Sequence, residues 1–537
     1  MDATITAKSS PWSALHHSTF RWLWLASIAS NIGTWMHEVG AGWLMTSLSS
    51  NPLNVALVQV AGSAPMFFLA LPAGALADIV DKRRYLLGVQ LWMAAMAMTL
   101  ALLTLGGFMT VPLLLLLTLG MGVGTALMMP AWSALTPELV GKEDLQSAIS
   151  LSSLGINVAR AVGPAIAGVL VSLTGPWATF GLNALSFFAV IAVLASWKRE
   201  PATAAFPAER LLGAMRAGWR YSVSSKPLQA VLVRAAAFFI GASAGMSLLP
   251  LIVRGELQGS AADFGLLLGS VGIGAVVGAM LLPKVREKLS PDALVAVASV
   301  IYALVLFALA SLHTIYALIP VMLLSGAAWI AVLSSLQLAA QTSVPSWVRA
   351  RALSVYILVF FGSMAAGGAL WGLVASRSSI MIALLCAGTV LLLGIILTLR
   401  FRLPVTDADD LAPALHWPIP VLSDDQDQER GPVMVMIDYD IAPERVAEFR
   451  QAMLQVRGMR RRNGSYSWGL MQDSENPRRW QEFFFDESWL EHLRHHHRVT
   501  RAEQRVEAAA RRYQTSGIAV RIRHLVTPAS GNRDFSQ

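Results

Sequence analysis

VPLLLLLTLGMGVGTALMMPAWSAL, residues 111–135, runs for 25 positions without an ionisable side chain. A helix that crosses the hydrocarbon of a bilayer needs about 20 mostly apolar residues. A helix this long and this apolar all round would have no face to offer water. Working outward, comparable runs lie near 22–47, 54–77, 85–105, 147–174, 178–197, 228–250, 264–283, 292–310, 315–341, 352–376 and 379–400, which predicts twelve spans in all. The composition agrees. Of 537 residues, 55% are apolar and 14% charged, against about 25% charged in a soluble protein, and the mean hydropathy is +0.55. Disordered, collagenous and disulfide-built classes are excluded by the apolar content and the single cysteine, Cys386. Cys386 reads as a small apolar filler.

The charge divides at Arg402. Residues 1–402 hold 23 Lys+Arg and 13 Asp+Glu, a net +10; residues 403–537 hold 18 and 20, a net −2. The basic excess therefore belongs to the membrane part, and nucleic-acid binding is not indicated because no basic patch with interleaved aromatics occurs. With the amino terminus in the cytoplasm, 19 basic residues fall on cytoplasmic segments and only Arg254 and Arg377 on the opposite face. This is the positive-inside pattern. It predicts a multi-pass protein of the inner or plasma membrane with both termini cytoplasmic. The loop at 198–227 divides the spans six and six, and parallel repeats of this kind work by rocking one half against the other about a midplane site. The expected organisation is a six-helix half (1–197), a central loop (198–227), a second six-helix half (228–402), a linker (403–431), a small α/β domain (432–526) and a disordered tail (527–537).

Between the second and third spans the chain reads GALADIVDKRRYL (74–86). Gly74 suits close helix approach. Asp78, at a helix end, can meet the positive amino end of a neighbouring helix. Lys82, Arg83 and Arg84 can latch to nearby acids or anionic lipid heads. The equivalent stretch of the second half, GAMLLPKVREK (278–288), keeps Gly278 and the bases but has Leu282 in place of the acid, so an asymmetric gate is expected. The fifth span carries GINVARAVGPAIAG (155–168). Gly155, Ala159, Gly163 and Ala167 recur every four residues and give a smooth packing stripe, and Pro164 cannot bond back to the carbonyl of Arg160, so a bend is expected there.

The 74–86 loop resembles the signature loop of the major facilitator superfamily in Gly74, Asp78, Lys82, Arg83 and Arg84. It departs from that pattern in having Ile79 where an Arg follows the Asp, and Asp81 for a frequent Gly. Gly155, Gly163, Pro164 and Gly168 resemble the antiporter motif of the same superfamily. NIGTWMHEVGAGWLM (31–45), PAWSALTPELV (130–140) and the fifth span are similar to its transmembrane secretion effector branch. The resemblance covers residues 1–402 and implies a proton-driven exporter of small molecules, siderophores among them, with small-molecule substrate, protons and lipid as partners and no cofactor. An uptake carrier of the same fold is the alternative, and the antiporter-like span argues against it.

Charges within hydrocarbon are functional candidates by default. Arg160 lies about 13 residues into the fifth span, about 20 Å at 1.5 Å per residue, near the midplane. It reads as a cavity charge for an anionic cargo, with Asn157 on the same face, or as a structural arginine. Glu38 reads either as the proton carrier or as a solvated residue of the outer vestibule. Arg234 either binds cargo or snorkels to the interface from two turns inside. Asn31, Trp35, Gln337 and Gln341 read either as cavity-lining residues or as interfacial and packing residues.

In the last part, VMVMIDYD (433–440) reads as a strand. Residues 443–462 place Val446, Phe449, Met453 and Val456 on one helical face. SYSWGLMQD (465–473) and RWQEFFFD (479–486) read as a hairpin, 488–498 and 500–513 as helices, and IAVRIRHLV as a closing strand. The β-α-β-β-α-β order is a ferredoxin-like split motif. It resembles the small dimeric α/β-barrel domains related to antibiotic-biosynthesis monooxygenases. That resemblance implies a possible homodimer through this domain, which is expected to sense ligand or dimerise and, as an alternative, to act as an oxygenase on the cargo. The chain as a whole is not read as an enzyme. His492 and His496 have a spacing that can bind metal, but no acid of the HExxH kind accompanies them. The run His492, His495, His496, His497 reads as a solvated basic face, and no metal is expected.

Overall fold

The computed structural model describes residues 10, 12–141, 143–197, 218, 220–403, 408–414, 417, 430–515, 518 and 520–527, and of Leu71, Ala75, Ala77, Asp78, Ile79 and Ala408 the backbone alone. The 527–537 tail beyond Thr527, most of the 198–227 loop and most of the 403–431 linker thus lie outside the described residues. By spatial clustering the chain forms two compact units. One comprises 1–209, 232–337 and 356–402; the other comprises 210–231, 338–355 and 403–537.

Twelve helices of 19 residues or more build the first unit: α1 (Ser18–Leu48), α2 (Pro52–Ile79), α3 (Lys82–Leu105), α4 (Val111–Leu139), α5 (Leu145–Thr174), α6 (Trp177–Ser196), α7 (Lys226–Leu251), α8 (Ala261–Arg286), α9 (Pro291–Ser311), α10 (Ile315–Thr342), α11 (Arg349–Arg377) and α12 (Ile380–Thr398). Residues 226–231 of α7, 338–342 of α10 and 349–355 of α11 belong to the second unit. Eleven of the twelve are long and apolar enough to cross a membrane. The exception is α1, whose hydropathy is lowered by Arg21, Asn31, His37, Glu38 and several hydroxyl residues. The starts are set by side-chain caps. Asn51 accepts from the Leu53 N–H ahead of Pro52, Asp81 accepts from the Arg84 N–H at 2.9 Å, and Ser260 and Asp263 form a reciprocal capping box. Each satisfies backbone donors that a helix start leaves open. Large apolar side chains such as Phe68, Leu173, Met280 and Leu397 stand exposed, as suits helices solvated by lipid.

The pairing of helices repeats with an offset of six. In the first half α1 packs on α5 and α6, α2 on α4, and α3 on α6. In the second half α9 packs on α12. Gly367 brings α11 against Ile240 of α7, Gly241 brings α7 against Leu391 of α12, and Gly274 brings α8 against Leu323 of α10. The halves meet through α5 on α8 and, under exchange of halves, α11 on α2.

The second unit contains a four-stranded antiparallel sheet of β1 (Val433–Asp440), β2 (Ser467–Gln472), β3 (Arg479–Asp486) and β4 (Arg521–Val526), in the order β2-β3-β1-β4. Helices α13 (Val446–Asn463), α14 (Trp489–Arg498) and α15 (Arg501–Arg511) complete the ferredoxin-like order. Alternate residues of β1, Val433, Val435, Ile437 and Tyr439, are buried against Phe449, Met453 and Val456 of α13. The described part of the 403–431 stretch does not run free. Pro413 bridges Thr500, and the Trp417 indole donates to Glu507 at 2.9 Å.

Candidate functional site

The fifth helix can approach the first closely because small residues face it. A Cβ at Gly163 would lie 2.7 Å from the Cβ of Trp35, and one at Gly155 would lie 3.0 Å from Ile28. The Trp24 indole donates to the carbonyl of Leu151 at 2.8 Å and fixes the register. In that register the guanidinium carbon of Arg160 sits 5.5 Å from the centre of the Trp35 ring, within cation–π range. Glu38, three residues beyond Trp35 on the same helix face, interacts electrostatically with Arg160. The structure thus brings Trp35, Glu38 and Arg160 together. Glu38 is exposed while its neighbour His37 is buried edge-on against Phe180. The Nε of Arg160 is buried without a hydrogen-bond partner among the described residues. Such a donor calls for a water or a ligand.

The remaining polar candidates are less closely joined. Asn157 is half-buried and donates to the carbonyl of Ser153 in its own helix at 2.9 Å. Asn31 is half-buried, Gln337 exposed and Gln341 half-buried. Arg234 is tied down: its guanidinium pairs with Asp292 at 2.8 Å and donates to the carbonyl of Phe401 at 2.7 Å. It neither snorkels freely nor faces the Arg160 group; it binds α7 to the start of α9 and the end of α12.

In the signature loop, Asp81 is the cap of α3. Lys82 pairs with Glu138 at 2.7 Å, joining α3 to α4. Arg83 donates to the carbonyl of Leu194 at 2.8 Å at the end of α6, and Arg84 is exposed. The Asp78 side chain lies outside the described residues. Gly74 does not mediate the close approach expected of it, since no described atom would come within 4 Å of a Cβ there. Its counterpart Gly278 does, with the Cα of Ala327 at 2.8 Å from such a Cβ.

The antiporter-like motif reaches both halves. Gly163 packs on α1, whereas Gly168 and Pro164 face α8. A Cβ at Gly265 would lie 2.5 Å from the carbonyl oxygen of Pro164, and one at Gly272 would lie 2.5 Å from that of Arg160. The latter is the carbonyl that Pro164 leaves without its helical donor. On the other side of the bundle Gly372 meets Leu53 and Ala56, and Gly362 meets Phe67. These approaches run from mid-helix to the end opposite the basic loops. There Arg254, in a short π-helical extension of α7, donates to Thr46 at 3.1 Å and sits 5.3 Å from the Trp43 ring centre. Sequence reading assigned no role to Gly265 or Gly272, and gave Arg254 no role beyond its place in the charge count. The glycine spacing of α8 was the available signal for the first two, and being one of only two basic residues on the sparsely charged face was the signal for the third.

Among the described residues of the second unit, several polar groups are buried, two of them around Arg460 and Asp486. Arg460, fully buried, pairs with Glu482 at 3.0 Å and Glu507 at 2.8 Å, and Tyr439 and Trp468 also donate to Glu482. Burial opposes the charge of Arg460, but the two carboxylates outweigh it and hold the guanidinium above its ordinary range. The other group corrects the sequence reading of a solvated basic face. His492 and His495 of α14 are 1% and 0% exposed, His496 is half-buried, and His497 is exposed. Both buried rings turn their Nδ1 toward Asp486, at 2.9 and 3.2 Å. Burial works against ionisation of Asp486, yet the His495 and His492 imidazoles hold its carboxyl far below the usual range. Burial first, then neighbouring imidazoles, pushes His496 down to about 3 and His524 down to about 4. Both are neutral near pH 7.

In the same unit the domain touches residues 218–231 and 338–355. Arg498 lies 4.6 Å from the Trp347 ring centre. Trp347 stands edge-on to Tyr221 at 5.8 Å. Arg220 donates to the carbonyl of Gly464 at 3.1 Å and pairs with Glu487.

Residues 9–532 match the model of a family described as transmembrane secretion effector. The enterobactin exporter EntS of Shigella boydii is 28% identical over 400 residues, 72% of this chain and 94% of that protein. A staphyloferrin A transporter of Staphylococcus aureus is 25% identical over 267 residues, 48% of this chain and 64% of the relative, so the match spans less than two thirds of its length. Among solved structures, a bacterial homologue of the human lysosomal transporter Spinster, inward-facing and unoccupied, superposes with a TM-score of 0.56 at 13% identity over 72% of this chain and 98% of that one. A mutant of the nucleoside transporter NupG gives 0.58 at 13% identity over 72% and 100%. At these identities the structures show the fold alone.

Proposed function

The chain belongs to the transmembrane secretion effector family, and from that premise we propose that it exports small, siderophore-like molecules by alternating access, coupled to the proton gradient, across the inner membrane. The basic loops lie in the cytoplasm, with both termini on that side. The inter-half contacts run from mid-helix away from the basic loops, which supports a cavity open to the cytoplasm in this conformation. The observation that carries the proposal is the Trp35, Glu38 and Arg160 group on facing helices. Trp35 offers a face for an aromatic or planar cargo and Arg160 a fixed positive charge. Glu38 is the member of the group that gains and loses a proton. The Lys82–Glu138 pair and Asp78 act at the cytoplasmic gate, and the α/β domain regulates the carrier, pairing with a second copy.

One observation favours a second reading, uptake. An anion on Arg160 and a proton on Glu38 stabilise each other through their charges, which is the logic of symport. Comparison of small molecules in the medium of cells with and without the protein separates the two. Export predicts a compound enriched outside only when the protein is present; uptake predicts its depletion.

A further inference from the structure

Three imidazoles from two distant elements converge beside the buried Asp486. His492 and His496 lie one turn apart on α14, and His524 lies on β4, paired in register with Val435 of β1. The Nε2 atoms of His492 and His496 are 3.2 Å apart. One potential ligand atom from each of the three rings lies within 4.8 Å of the others. A tetrahedral zinc ion with metal–nitrogen bonds of about 2.0–2.1 Å has its nitrogen ligands about 3.3 Å apart. The first pair already stands at that spacing, and His524 brings a ligand atom within 4.8 Å of both.

The surroundings suit a metal as well as the spacing does. Asp486 accepts from Nδ1 of His492 at 2.9 Å, which fixes the proton on that nitrogen and leaves the Nε2 lone pair facing His496. A carboxylate behind a ligating histidine is the usual way a protein orients such a ring and raises its basicity. The walls are aromatic: the Trp417 ring centre is 4.7 Å from that of His496, and Trp489 is 6.1 Å from His524. His495 shares Asp486 but its ring packs on Phe484, so it belongs to the support and not to the ligand set. We propose that His492, His496 and His524 bind one divalent first-row transition-metal ion, with Asp486 as the positioning residue and at least one coordination position left for water or a small ligand. The site is independent of the transport reading.

The test uses the full-length, untagged protein in detergent, stripped with chelator and titrated with Zn2+ against a competing indicator. One Zn2+ per chain is expected. His496→Ala and His524→Gln, both half-exposed in the native domain, are each expected to weaken binding at least tenfold with unchanged near-ultraviolet circular dichroism. Asp486→Asn is expected to weaken it about 10–100-fold, and His497→Ala to leave it unchanged. Co2+ in place of Zn2+ reports the ligand field, and its visible absorption is expected to vanish in His524→Gln. Failure of the wild-type protein to bind Zn2+ better than the His496→Ala, His524→Gln double variant would overturn the proposal. So would equal loss in His497→Ala, which would mark an adventitious surface histidine site.

Discussion

Gly168 of α5 and Gly265 of α8 pack backbone on backbone: a Cβ at Gly265 would lie 2.7 Å from the Cα of Gly168 and 2.5 Å from the carbonyl oxygen of Pro164. At this point α5 and α8 therefore touch along a line with almost no side chain between them. Such a line is rigid against compression and offers little resistance to rolling. The Arg160 group hangs on the same helix, so motion of α5 against α8 moves the site.

Gly265→Leu is accordingly expected to be among the most harmful single changes in the bundle. Overpacking of a close interface costs about 1–3 kcal/mol, and here it falls on contacts made in one conformation. Accessibility labelling should show the population shifted toward the state open opposite the basic loops, with transport lost. Gly74→Ala meets no described atom within 4 Å and should leave this conformation unchanged.

Glu38→Gln tests the coupling. Protonation of Glu38 removes a negative charge beside Arg160, so under the uptake reading binding of an anionic cargo by the wild-type protein should strengthen as the pH falls, whereas export in exchange for protons requires a cargo whose binding weakens on protonation. The sign follows from the net charge of the pair, zero with the carboxylate ionised and +1 with it protonated. The Gln variant should bind with the affinity of the acid form at every pH. A variant whose pH profile follows the wild type would remove Glu38 from the coupling.

Arg460→Ala tests the core of the α/β domain. The change leaves the carboxylates of Glu482 and Glu507 buried without their partner, and breaking a buried pair in this way costs about 3–5 kcal/mol. Chemical denaturation of the full chain, followed by the fluorescence of Trp417, Trp468 and Trp480, should show that domain unfolding at lower denaturant. The helical signal of the membrane part should stay in place.

Much of this architecture was legible in the chain. Apolar runs set the spans, and the run VMVMIDYD placed β1 at Val433–Asp440. Local chemistry was legible where it acts within a turn, as in the small-residue stripe of α5. Relationships between distant segments were not. Arg460, Glu482 and Glu507 come from three elements, and nothing in the local pattern of any one marks it as part of a network. The histidines of α14 were misread because their neighbours in sequence are charged. Their burial depends on Asp486 at the end of β3 and on Trp417 from a stretch read as linker. Arg234 was ambiguous for the same reason, since Asp292 lies 58 residues away in sequence.

The most direct test is the rate at which reconstituted proteoliposomes move the compound identified in the medium, for the wild-type protein and for Arg160→Ala, at equal amounts of folded protein. Saturable, gradient-dependent flux in the wild type and at least a tenfold slower flux in Arg160→Ala are predicted. Flux through Arg160→Ala at the wild-type rate would contradict the account.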